Sequence, residues 1–179
     1  MISRIQMLRF LAIAPMLAIL LVLPATARPG FEASSQDLSF STAEGQPLST
    51  GSLRGRVVVL MFSGVQDPQC RDELKALEAL SARYQSQPVS FYWVSINSPA
   101  EASNDKLRRP CGVSTSVQVL RLSDLNSFKR LSGRTPELPT LLMLNKQGQP
   151  YGQPRSGFNP NSDFVNDIAE LVDSLLSKK

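Results

Sequence analysis

The sequence predicts an α/β domain: a central mixed β-sheet flanked by helices, with a β-hairpin in front of it. Three observations carry this. Apolar, strand-like runs at 57–62, 91–96 and 141–144 alternate with segments of helical periodicity. The run Val57-Val58-Val59-Leu60-Met61-Phe62 contains no polar residue, which suits a central strand covered on both faces. The β-α-β unit at 57–96 demands parallel neighbours with a right-handed crossover, whereas the turn Lys146-Gln147-Gly148-Gln149 is short enough to make the last two strands antiparallel.

Taken in order, residues 1–27 read as a leader. Arg4 and Arg9 make a basic start, Phe10–Leu23 is an apolar run of 14 residues interrupted only by Pro15, and Ala25-Thr26-Ala27 offers a small-x-small cleavage site. A membrane-spanning helix needs roughly 20 apolar residues, so cleavage and export to the periplasm or another extracytoplasmic space are expected, with no stable membrane span afterwards; an uncleaved anchor is the alternative. Residues 28–36 are a polar, extended lead-in, and 37–179 form the domain.

Leu38, Phe40, the Glu44-Gly45 turn and Pro47-Leu48 predict the hairpin. After the 57–62 strand a helix is expected from about Pro68, with Asp67 as its N-cap and the proline in the first helical position. Cys70, Leu74, Leu77, Ser81 and Tyr84 lie on one face of it. Phe91–Ile96 is the second strand. Ser98-Pro99 opens a polar, helical segment stopped by Pro110 and Gly112. Val117–Leu122 is a third strand, 125–131 a short helix ended by Gly133, and 141–144 a fourth strand, with a weak return strand around 151–157. Asn161 or Ser162 caps a last helix whose buried stripe is Phe164, Ile168, Leu171, Val172 and Leu175.

Composition excludes several chemistries. The chain has no histidine, which removes Ser-His-Asp triads, imidazole acid–base catalysis and His metal ligands together. Two cysteines without histidine make a structural zinc site untenable, so neither metal nor cofactor is expected. The net charge of +4 includes Arg4 and Arg9 of the leader; the remainder carries +2 without long basic runs, and no nucleic-acid partner is expected.

The chemistry concentrates at Gln66-Asp67-Pro68-Gln69-Cys70, where a strand passes through a loop into a helix with a cysteine in its first turn. With Leu53-Arg54-Gly55-Arg56 before the central strand, Cys70-Arg71-Asp72-Glu73-Leu74 on the helix, Leu138-Pro139-Thr140 before the fourth strand and Asn145-Lys146-Gln147-Gly148 at the final turn, the chain resembles the exported TlpA/ResA-type thioredoxin-like proteins. These belong to the redoxin group that also holds the AhpC/TSA peroxiredoxins. The resemblance covers about residues 37–176 and implies a thioredoxin-like fold. It also implies a cis bond before Pro139, beside which Leu138, Pro139 and Thr140 would bind a polypeptide or a thiol-containing protein partner; an ordinary trans proline opening an edge strand is the alternative.

The family's site carries Cys-x-x-Cys, and here its first cysteine is replaced by Asp67. Asp67 cannot attack a disulfide, so a dithiol cycle cannot run within this motif. Three roles follow. The first is a non-dithiol redox or partner-binding protein. The second is a thiol oxidoreductase using Cys70, either peroxidatic or paired with Cys111. The third is a structural or assembly-associated domain. Cys70 itself reads either as a thiol favoured by the helix N-terminus or as a small buried hydrophobe, with Asp67 opposing a thiolate. A peroxidatic motif would place its proline at Ser63, its threonine at Asp67 and its arginine at Leu138, so the donors for peroxide are missing. A β-α-β layout puts Cys111 at the end of the sheet away from Cys70, and a direct bond is not expected unless the 98–116 segment is long and irregular enough to return.

Overall fold

A computed structural model of the chain describes residues 37–160 and 162–178; the leader and the lead-in lie outside the described residues. Strands β1 (Ser39–Thr42) and β2 (Pro47–Ser49) form the expected hairpin, with Phe40 opposite Leu48. The chain then makes a 3-10 turn (Thr50–Leu53), β3 (Val57–Ser63), helix α1 (Cys70–Arg83), β4 (Val89–Ser95), the short helix α2 (Asn104–Arg108) and a second 3-10 turn (Pro110–Gly112). It continues through β5 (Gln118–Leu122), α3 (Leu125–Ser132), β6 (Thr140–Leu144), β7 (Arg155–Ser156) and α4 (Phe164–Ser177).

All seven strands make one sheet in the order β2-β1-β5-β4-β3-β6-β7. β3 runs parallel to β4 and antiparallel to β6, and β4 runs parallel to β5, so the sheet is mixed as expected. The period of two along β3 divides the interior. Val57, Val59 and Met61 join Leu74, Leu77, Trp93, Ile168 and Val172 in the core under α1 and α4. Val58, Leu60 and Phe62 point to the other face, where Phe62 meets Phe128 of α3 edge-on at 4.6 Å. Every residue of β3 is buried. An uninterrupted apolar run is the sequence signature of a strand with a core on each side.

Three expectations need correction. Helix α1 begins at Cys70 rather than near Pro68, and Asp67 does not cap it. Its Oδ1 accepts the Gln69 N–H at 2.8 Å, closing a turn ahead of the helix, and Gln69 precedes the helix without a side-chain bond. The 98–110 segment is not one helix: α2 has five residues and ends before a left-handed step at Cys111. α4 starts after Asp163, whose side chain makes no capping bond, rather than from Ser162; Asn161 lies outside the described residues. The Leu138–Pro139 bond is cis, as expected.

Candidate redox site

The central strand delivers its loop to the carboxyl edge of the sheet, and that loop is tied down on both sides. Asn97 Oδ1 accepts the Val65 N–H at 2.9 Å, and the Ile96 N–H donates to the Ser63 carbonyl at 3.1 Å. The Asp67 N–H donates to Gly64, and the Cys70 N–H to the Asp67 carbonyl. Cys70 therefore enters α1 from a fixed turn, with its side chain fully buried beneath the loop.

The structure overturns the expected separation of the two cysteines. Cys70 and Cys111 are joined in a disulfide across a sequence separation of 41, with their Cα atoms 6.0 Å apart. Three contacts hold the 97–117 segment in the path that makes this possible. At its start, the buried Arg121 guanidinium donates to the Asn97 carbonyl at 3.0 Å, to the Ala102 carbonyl and to Asn104 Oδ1. At its end, Glu78 of α1 accepts from Thr115 Oγ1 at 2.7 Å and from the Ser116 N–H at 2.9 Å. At its apex, Arg71 Nε donates to the Cys111 carbonyl at 3.2 Å. Cys111 adopts φ +56° and Gly112 φ +74°. The left-handed region costs a non-glycine residue roughly 1–2 kcal/mol, so these pins and the disulfide hold a conformation that Cys111 would not choose alone.

Among the described residues Arg121 has no carboxylate partner, and burial lowers its pKa from the ordinary arginine value. It gathers the Asn97 and Ala102 carbonyls and the Asn104 side-chain oxygen around one guanidinium. Arg121→Ala is expected to cost about 3 kcal/mol by removing the donors to the buried Ala102 and half-buried Asn97 carbonyls and opening space beside the sheet. Urea titration measures that loss, and the same variant should re-form the Cys70–Cys111 bond more slowly after reduction.

A further residue of the site is absent from the expectations above. Glu73 lies one turn after Cys70 on the same face of α1 and is fully buried. Its Oε2 accepts the Trp93 Nε1–H at 2.9 Å, and its Oε1 accepts the Ser63 hydroxyl at 3.2 Å. Burial pushes its pKa up to about 7; the Trp93 and Ser63 bonds pull the other way, and the Asp67 charge adds to the rise. A signal existed: the apolar stripe through 70, 74 and 77 includes position 73, and a glutamate on a buried stripe is out of place unless it is used.

The two sulfurs differ in access. Cys70 has no exposed surface, whereas Cys111 is half-buried and lines a cleft of about 410 Å³ with Val65, Asp67, Arg71, Lys106 and Arg109. Leu138, Pro139 and Thr140 do not line this cleft. Thr140 pairs with Phe62 on β3, the Pro139 carbonyl accepts the Gly157 N–H, and Leu138 is exposed. Of the sequence-predicted residues, the cleft thus gathers Cys111 and Asp67 above the buried Cys70, while the Leu138-Pro139-Thr140 step leads into β6 and is not part of its lining. The positions a peroxidatic motif would need hold no donor for peroxide: Ser63 gives its hydroxyl to Glu73, Asp67 accepts from Gln69, and 138 is an exposed leucine.

The AhpC/TSA family model matches residues 26–129. Solved structures share the architecture. A candidate thiol:disulfide interchange protein DsbE from Chlorobium tepidum superposes with a TM-score of 0.65 at 18% identity, covering 79% of this chain and 94% of its own. A candidate thiol-disulfide oxidoreductase from Bacteroides vulgatus gives 0.63 at 21%, covering 78% and 92%. The exposed lipoprotein thioredoxin Etrx1 of Streptococcus pneumoniae gives 0.62 at 16%, covering 78% and 99%. At these identities the likeness establishes a thioredoxin-like fold. No curated protein matches the sequence.

Proposed function

The chain belongs to the AhpC/TSA family, and from that premise we propose that it is an exported thiol–disulfide oxidoreductase of the TlpA/ResA type whose attacking thiol has moved from position 67 to Cys111. The observation that carries this reading is the pairing of a fully buried Cys70 with a Cys111 that opens to a cleft. Thiol–disulfide exchange needs one accessible sulfur for the incoming partner and one sheltered sulfur to resolve it. The family's dithiol is thereby rebuilt from two segments of the chain, rather than lost with the cysteine at 67. Names among the structural neighbours, an interchange protein and an exposed lipoprotein thioredoxin, accord with this chemistry and with a location outside the cytoplasm.

In the reducing direction, the Cys111 thiolate attacks a substrate disulfide. One substrate sulfur bonds to Cys111 and the other leaves as thiolate. Cys70 then attacks Cys111 Sγ, re-forms the Cys70–Cys111 bond and expels the second substrate thiolate, so two electrons pass to the substrate. The Arg71, Lys106 and Arg109 charges favour a thiolate at Cys111. Glu73, one helical turn from Cys70 and with its pKa near 7, is the group assigned to take the Cys70 proton during resolution and to return it when the bond is reduced.

Trapping tests the assignment. Reduced Cys70→Ser should accumulate a stable mixed disulfide at Cys111 with a model disulfide substrate, seen as an adduct by mass spectrometry. Cys111→Ser should react at least a hundredfold more slowly, because its remaining sulfur is enclosed. Equal trapping in Cys111→Ser, or no adduct in Cys70→Ser, would overturn the roles.

A further inference from the structure

We propose that the cleft beside Cys111 takes a small carboxylate-bearing thiol or disulfide, of the glutathione class, as the redox partner of that sulfur. The inference rests on the thiol–disulfide reading above and adds the partner's size, charge and direction of approach.

Charge is the first argument. Arg71, Lys106 and Arg109 line the cleft against a single carboxylate, Asp67, whose Oδ1 already accepts the Gln69 N–H. Lys106 and Arg109 make no side-chain ion pair among the described residues, while the neighbouring Arg108 is paired with Asp105. Cations that no carboxylate neutralises among the described residues, set around an accessible sulfur, favour an anionic reactant and raise its local concentration. Size is the second. A cleft of about 410 Å³ falls within the range of small-molecule sites and accommodates a tripeptide. Gly112 lines the cleft with φ +74°, a left-handed step that glycine makes without strain. Direction is the third. The cleft is built from the β3–α1 loop, α1 and the 106–112 segment, and the residues of the Pro139 edge take no part in it. A partner reaching Cys111 through this opening therefore does not need the cis-proline edge.

The chemistry balances. A glutathione thiolate attacks Cys111 Sγ, a new S–S bond forms between them, and the Cys70–Cys111 bond breaks with its electron pair on Cys70 Sγ, which takes up a proton. A second glutathione thiolate attacks the glutathione sulfur of the mixed disulfide and releases the Cys111 thiolate with glutathione disulfide. Two small thiols are oxidised and one protein disulfide is reduced; the reverse sequence oxidises the protein dithiol.

The test uses three disulfides of different charge on full-length, reduced Cys70→Ser: glutathione disulfide, neutral hydroxyethyl disulfide and cationic cystamine. Each rate of adduct formation at Cys111 is divided by the rate for a solvent-exposed cysteine peptide. At low ionic strength, glutathione disulfide is expected to exceed cystamine by about tenfold, and salt should shrink the ratio. In the Lys106→Gln/Arg109→Gln variant the ratio should fall toward one. In wild-type protein, reduction of the Cys70–Cys111 bond by glutathione, mercaptoethanol and cysteamine should follow the same order after correction for thiolate fraction, which keeps the test open if Cys70→Ser folds poorly. A ratio near one at low salt, or a ratio untouched by the double variant, overturns the inference. Reaction with hydroxyethyl disulfide in that case leaves the redox reading standing, whereas failure of all three reagents to label Cys111 removes both. A disulfide-linked acidic peptide that reacts more than tenfold faster than glutathione disulfide overturns the small-molecule assignment in favour of a polypeptide.

Discussion

Reducing the Cys70–Cys111 bond, or replacing Cys111 with serine, is expected to lower the stability of the domain by about 4 kcal/mol. The bond closes a loop with a sequence separation of 41, and the chain-entropy treatment of a cross-link of that span gives a value of this order. For a domain of this size the loss corresponds to a fall in Tm of roughly 10–20 °C. The loss should be unevenly distributed. Residues 97–117 rest on Arg121, Glu78 and Arg71 contacts, and Cys111 holds a left-handed φ of +56°. Without the bond that strain favours release of the apex. Amide hydrogen exchange should therefore accelerate most around 109–114, while β3 and β4 at the sheet centre keep their protection. Calorimetry of oxidised and reduced protein checks the magnitude, and exchange checks the location. A uniform acceleration through β3 would contradict the assignment of these contacts as a local clasp.

Stability is also expected to fall by about 3 kcal/mol as the pH rises from near 4.5 through 7, because of Glu73. Its carboxyl is held at a pKa of about 7 in the folded protein, against an ordinary value of 4.5 in the unfolded chain. Below 4.5 both states carry the proton and Glu73 contributes no slope. Between 4.5 and 7 the unfolded chain ionises while the folded protein keeps its proton, so the folded state binds more protons and loses ground as pH rises. Above 7 both are ionised and the slope ends, leaving a carboxylate enclosed beside Trp93 and Ser63. Glu73→Gln should remove this segment of the pH profile and make the protein more stable than wild type at pH 8. Urea titrations of both proteins between pH 4 and 8 measure the difference directly. Asp124 and Glu101, whose pKa values are lowered by hydrogen bonds from backbone N–H groups, act in the opposite sense at lower pH and cancel in the comparison. Parallel profiles for wild type and Glu73→Gln would show that Glu73 ionises normally.

The sheet was legible because its signals are local. The polar-free run of β3, the Glu44-Gly45 turn, the Leu138-Pro139-Thr140 step and the stripe of α4 each state their role within a few residues. The redox pair was not legible because what brings it together is distant in sequence. Treating 98–110 as one helix sends Cys111 to the far end of the sheet. The actual segment turns back because Arg121 reaches 24 residues to Asn97 and Glu78 reaches 37 residues to Thr115, and neither contact leaves a mark on the segment itself. The helix start at Asp67 erred for a smaller reason: aspartate satisfies an N–H two residues on as readily in a free-standing turn as at a cap. Glu73 was passed over because its neighbours Arg71, Asp72 and Lys75 make the helix start look like an ordinary charged surface.

In a Cys-x-x-Cys site the oxidised bond closes a ring of a few residues within one turn. Here the bond between Cys70 and Cys111 closes a ring that contains all of α1, β4 and α2. Much of residues 97–109 is exposed on the outside of that ring. A single peptide-bond cleavage there opens the ring without separating the two pieces, which stay linked through sulfur and come apart only when that link is reduced. The same bond that reports the redox state of the protein thus decides whether a nicked molecule remains one covalent chain, beyond the β3–β6 and β4–β5 pairing that the two pieces share.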